Sequence, residues 1–142
     1  MLKLLRLCTL CFTIGISQTE RWVYRYNGPG NDDDGAEDII YGTQENIYSG
    51  GWITSLYNYD DIAVICFDTS GSELWRYEYD GAGHVHDDVR SIALGADSNI
   101  YASGYAYGAG TDYDFIVLSV SSSGTERWVY TYNSIMNMND AS

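Results

Sequence analysis

Basic residues are scarce in this chain: 7 Lys plus Arg stand against 20 Asp plus Glu, for a formal net charge of −13. That balance repels phosphate backbones and anionic membrane surfaces, and the five arginines beyond the first segment (Arg21, Arg25, Arg76, Arg90, Arg127) form no cluster, so nucleic acid is not an expected partner. Long apolar runs are missing beyond the first segment, and no membrane span is expected. Cysteines are few. Cys8 and Cys11 fall in the first segment, which leaves Cys66 alone and unable to form an intrachain disulfide. Its apolar neighbours in Ala63–Phe67 read as the surroundings of a buried core thiol. Catalytic signatures are missing as well: no nucleophile elbow, phosphate loop or metal-binding helix motif occurs, and His84 and His86 lie in one loop without a triad. The chain does not read as an enzyme. What is plentiful is apolar and aromatic residues, at 45% and 15% of 142, too many for a disordered acidic tail. A packed fold with an acidic surface is expected, in one modest domain or part of a larger one.

Residues 1–17 carry Lys3 and Arg6, then the apolar run Leu7 to Ile16, then small residues at Gly15 and Ser17, the layout of a secretory signal peptide. About ten apolar residues are too few to cross roughly 30 Å of hydrocarbon. The expectation is export, to the medium or the cell envelope. Cleavage after Ser17 leaves 5 basic against 20 acidic residues in 18–142, with no lysine.

The remainder is built on an internal repeat. Trp22, Trp75 and Trp128 stand 53 residues apart, and the same offset joins Tyr26, Tyr79 and Tyr132; Gly28 and Gly81; Gly30 and Gly83; Asp34, Asp87 and Asp140; Ile39 and Ile92; Gly71 and Gly124. No insertion or deletion is needed. Within a period the runs are short, β-branched and aromatic, bounded by Gly, Asp, Asn and Ser, which predicts four strands joined by tight turns. They are expected at 37–41, 45–52, 61–68 and 73–79, then at 89–94, 99–106, 113–120 and 126–132, with a lone extra strand at 20–27. The runs at 61–68 and 113–120 are apolar on both alternating faces, so both faces should be buried; 21–26, 74–79 and 127–132 alternate aromatic with polar, as an outer strand would. The fold class expected is all-β, as four-stranded antiparallel blades of a β-propeller. Residues 18–35 would form the outer strand of a partial blade, 36–88 a blade, and 89–142 a blade with the start of the next.

Three stretches of the second period, Asp97 to Gly104, Asp112 to Phe115 and Ser123 to Trp128 leading into Tyr132, recur in the first as Glu45 to Gly51, Tyr59 to Ile62 and Ser70 to Trp75. In this frame the chain resembles the SBBP-type β-propeller repeats of large exported bacterial proteins, over nearly all of its length after the leader. A second similarity, to quinone-enzyme-like propeller repeats, rests on Asp68 to Trp75 alone. The SBBP resemblance implies an architecture and no shared catalytic residues. The third period departs from the frame, continuing as 134–142 without glycines at the places of Gly28 and Gly30. About 2.4 periods are present, whereas a closed ring takes roughly four to eight blades, so the ring is incomplete. Further blades in a longer chain, or in other copies of this one, are the expected completion, the former preferred because the sequence ends inside a repeat.

Candidate sites are few. The loop Asn31 to Gly35 places Asp32 and Asp34 as ligands of a possible calcium ion, but position one of the frame is Gly30 and position twelve Tyr41, so no cofactor is expected and a solvated loop is the plainer reading. Asp34, Asp87 and Asp140, at the repeat spacing, read as caps on backbone N–H groups. His84 and His86 beside Asp87 and Asp88 would suit zinc or copper, yet they have no counterpart one period earlier. The repeated tryptophans suit packing between blades. Trp52, with Tyr105 as its partner one period on, and Tyr57 and Tyr107 nearby, is the place to expect a ligand surface. Two functions follow: a non-catalytic exported scaffold or interaction module, or a small lectin-like protein whose copies close a ring and bind carbohydrate.

Overall fold

The computed structural model describes residues 19–57 and 59–133. Eight strands form two four-stranded antiparallel sheets. Sheet A holds β1 (Gly35–Tyr41), β2 (Ile47–Thr54), β3 (Asp60–Phe67) and β4 (Glu73–Tyr79), and sheet B holds β5 (Asp88–Leu94), β6 (Ile100–Tyr107), β7 (Tyr113–Val120) and β8 (Glu126–Tyr132), each in sequential order. These are the blades that the repeat predicts, one per period. β4, β7 and β8 fall at the expected residues; β2 begins at Ile47 rather than Glu45, because a 3-10 turn over Thr43–Glu45 holds Gln44 and Glu45 at positive φ. The expected leader at 1–17, the third period after Asn133, and Asp140 lie outside the described residues.

One expected strand is not formed. Residues 20–27 carry the residues of an outer strand but no ladder. The strand place at β4 and β8 is filled by pairing with β3 and β7; for 20–27 no described strand stands one period earlier to supply those bonds. Side chains hold the segment to sheet A instead: Trp22 donates its indole N–H to the Thr69 carbonyl at 3.1 Å, the Tyr24 hydroxyl bonds the Glu73 carboxylate, and the Arg76 guanidinium lies 3.7 Å over the Tyr26 ring.

The core lies between the sheets. Ile62, Val64 and Cys66 on β3, with Tyr48, meet Val89, Ile92, Ile100, Ala102, Ile116, Leu118 and Val120 from sheet B. The two faces of β3 are buried as its double alternation predicts, with Ala63 and Phe67 on the opposite side. Burial pushes the Cys66 thiol up to about 11, so it stays a packed thiol at neutral pH. Gly50 allows the close approach of the blades, since a Cβ there would strike Ile92 and Val89. Polar links finish the interface: Asp38 accepts from the Ile92 N–H at 2.9 Å and the Ser91 hydroxyl at 3.0 Å, and those donors with the Ile39 N–H hold its carboxyl below the ordinary range. Glu37 pairs with Arg90 at 3.1 Å.

Candidate functional site

The antiparallel order brings the connection 28–34, the β2–β3 loop, the β4–β5 connection and the β6–β7 loop to one end of the module. Two aspartates organise it. Asp34 accepts from the N–H of Gly28 at 2.7 Å and of Thr54 at 2.9 Å; Asp87, one period on, accepts from the N–H of Tyr107 at 2.7 Å and from that of Gly81. The capping role read from their spacing is therefore the one they fill. Gly30 N–H to the Thr54 carbonyl at 3.1 Å and Gly83 N–H to the Tyr107 carbonyl at 2.8 Å repeat in the same way. Both carboxylate oxygens of Asp34 accept from backbone and Asp32 accepts from the Asp33 N–H at 2.9 Å, and neither residue belongs to a grouping of three metal-ligand side chains among the described residues.

A different carboxylate grouping forms where the blades meet. Oxygens of Asp61, Asp80 and Asp87 lie within 4.8 Å of one another, the one such grouping of three metal-ligand side chains among the described residues. Desolvation, followed by the charges of Asp80 and Asp87, pushes the Asp61 carboxyl up to about 6. These are the residues that could hold a hard divalent cation, although Asp87 brings only the lone pairs its two N–H donors leave. A cavity of about 390 Å³ opens over Asp61 and Asp80, with Tyr57, Tyr59, Ser55 and His84 around it. His84 meets Asp80 at 2.6 Å and His86 meets Asp60 at 2.7 Å, so the two imidazoles serve different carboxylates rather than one ion. Asp88, buried beside Arg90 at 3.1 Å, is raised to about 6 by desolvation against the pull of that guanidinium. Sequence spacing gave no sign of the Asp61–Asp80–Asp87 grouping, because its members come from the start of β3, the residue after β4 and the following loop.

The aromatic candidates are divided among three places. Trp52 lies over Gly35 and borders, with Trp22, Tyr24, Tyr26 and Phe67, a groove of about 440 Å³ along sheet A. Tyr57 borders the smaller cavity. Tyr105 and Tyr107 both meet Tyr113 edge to face, at 5.0 and 5.2 Å, and Arg90 lies over Tyr105 at 5.3 Å. Trp52 and Tyr105 therefore share a repeat position without sharing a surface.

The repeated tryptophans do pack between units. Trp75 donates to the Ser122 carbonyl at 3.0 Å and covers Gly124 as Trp22 donates to Thr69 and covers Gly71; each glycine sits at positive φ, 83° and 89°. The Tyr77 hydroxyl bonds Glu126 at 2.6 Å as Tyr24 bonds Glu73. Burial and then the Glu126 carboxylate raise the Tyr77 phenol. Trp128, in the same place on β8, is 45% exposed, and its indole N–H has no partner among the described residues. No helix among the described residues is long and apolar enough to cross a membrane. No family model and no curated protein matches this chain.

Proposed function

We propose that this chain is a non-catalytic, exported repeat module of the SBBP type, acting as a scaffold that binds protein partners through the open faces of its blades. One observation carries the reading: a single interface recurs at the repeat spacing, as Trp75 on Gly124 and Trp22 on Gly71, while the matching side chains of β8 face solvent. Trp128, Tyr130, Tyr132 and Phe115 make that face aromatic, and side chains of this kind anchor protein interfaces. The signal-peptide pattern of 1–17 supports a location outside the cytoplasm or in the cell envelope. A carbohydrate-binding role is the second reading, favoured by the groove that Trp52 borders with four further aromatic rings.

Parallel protein and glycan arrays separate the two. The scaffold reading expects protein binding that Tyr130→Glu weakens by about tenfold or more. Glycan binding abolished by Trp52→Ala would replace it with the lectin-like reading. N-terminal sequencing of the product found in the medium or envelope fraction tests export.

A further inference from the structure

Residues 20–27 and 126–133 are the same sequence at seven of eight places, differing only as Arg25 against Thr131. Yet their situations are opposite. The first is anchored by its side chains to sheet A and has no ladder; the second has a ladder along β7 and leaves almost every side chain in water. We infer that the module docks head-to-tail onto a second copy of itself, with residues 20–27 of one copy replacing β8 as the outer strand along β7 of the other.

The contact between sheets A and B is the template. Sheet B repeats on its outer side what sheet A presents to it: Trp128 for Trp75, Tyr130 for Tyr77, Phe115 for Ile62. Sheet A repeats on its outer side what sheet B presents: Ile39 for Ile92, Gly71 for Gly124, Glu73 for Glu126. Every surface of a blade-to-blade contact is thus present twice in the chain and used once in full. Within the chain, Glu37 pairs with Arg90 and Asp38 with Ser91, each pair spanning 53 residues and therefore joining equivalent positions of two blades; both pairs are already made inside each copy, so the docking rests on the repeated apolar and aromatic positions.

Residues 20–27 decide how the copies engage, because they already occupy the part of sheet A on which a partner's β8 side chains would have to sit. Exchange resolves the conflict. The segment keeps its bonds to Thr69 and Glu73, gains the backbone ladder it lacks, and pairs with β7 in the β8 register, Val23 opposite Leu118 where Val129 now stands. Swapping near-identical strands costs little, and burial of the two facing sheets drives association.

The inference deepens the scaffold reading by naming its partner, and its test leaves that reading separately measurable. The full chain is studied by sedimentation and amide hydrogen exchange from about 1 to about 100 µM. The expected result is a mass rising above one copy as concentration increases, with amides 22–26 gaining protection while 127–131 lose it. Val23→Pro is expected to weaken association by about tenfold or more, and Val129→Pro, which loosens β8 and frees the β7 edge, to strengthen it. A chain that stays at one copy throughout, or associates with unchanged exchange at 22–26, overturns the inference, as do two proline variants that act in the same direction. Partner binding on the protein array, lost in Tyr130→Glu, would then still stand for the scaffold reading.

Discussion

Ile39 and Ile92 hold the same place in two blades built on one pattern, yet the first is 64% exposed and the second 5%. Tyr77 and Tyr130 differ likewise, at 9% and 56%. Nothing in the strands themselves accounts for this, since register and pairing order match between the sheets. The difference is the neighbour. Each blade is a thin layer with two faces made for contact, and a face becomes core only where a second layer meets it. Sheet A and sheet B each satisfy one face against the other, and residues 20–27 satisfy a strip of the remaining face of sheet A. Only the outer side of sheet B lacks even such a strip among the described residues.

The contrast between covered and open positions yields paired tests, read as shifts in urea midpoint at constant slope. Ile92→Ala is expected to cost about 3 kcal/mol, whereas Ile39→Ala costs under about 1 kcal/mol; equal losses would mean that the sheets do not pack as described. Trp75→Ala, removing the cover of Gly124 and the bond to Ser122, is expected to cost about 2–3 kcal/mol, and Trp128→Ala under about 1 kcal/mol. Asp87→Ala leaves the Gly81 and Tyr107 N–H groups without an acceptor in a buried site, a loss of about 2 kcal/mol. Asp34→Ala exposes an equivalent pair closer to solvent, and about 1 kcal/mol is expected there.

Much of this comparison was legible in the sequence because an ungapped repeat converts each residue into two observations. Eight strands, their order and the packing role of Trp22 and Trp75 follow from spacing and alternation. The strand at 20–27 did not form as the pattern suggested, since a strand needs a partner that local sequence cannot supply. The ligand surface expected around Trp52, Tyr57, Tyr105 and Tyr107 dispersed for a related reason. A shared repeat position places Trp52 and Tyr105 in corresponding places on different sheets, and so on surfaces a blade apart. The carboxylates of Asp61, Asp80 and Asp87 converge only through the tertiary meeting of β3, β4 and the loop beyond, which no linear spacing encodes.

That convergence gives the smallest of the expected effects. Asp61 titrates at about 6 in the folded chain against an ordinary value of 3.8, so the unfolded chain ionises first and stability falls as pH rises between those values. Asp61→Asn is expected to raise stability by about 1 kcal/mol or less above that range and to change nothing below pH of about 4. A gain that persists undiminished in acid would assign the effect to packing rather than to charge.

The central claim is that one interface is built twice, once by a whole blade and once by the segment 20–27. Solvent exchange of the indole N–H protons, resolved by NMR in a dilute monomeric sample, tests it most directly. The account predicts slow exchange for Trp75 and Trp22, whose N–H groups bond Ser122 and Thr69, and fast exchange for Trp128. A Trp22 indole exchanging as fast as that of Trp128, with Trp75 slow, would contradict it.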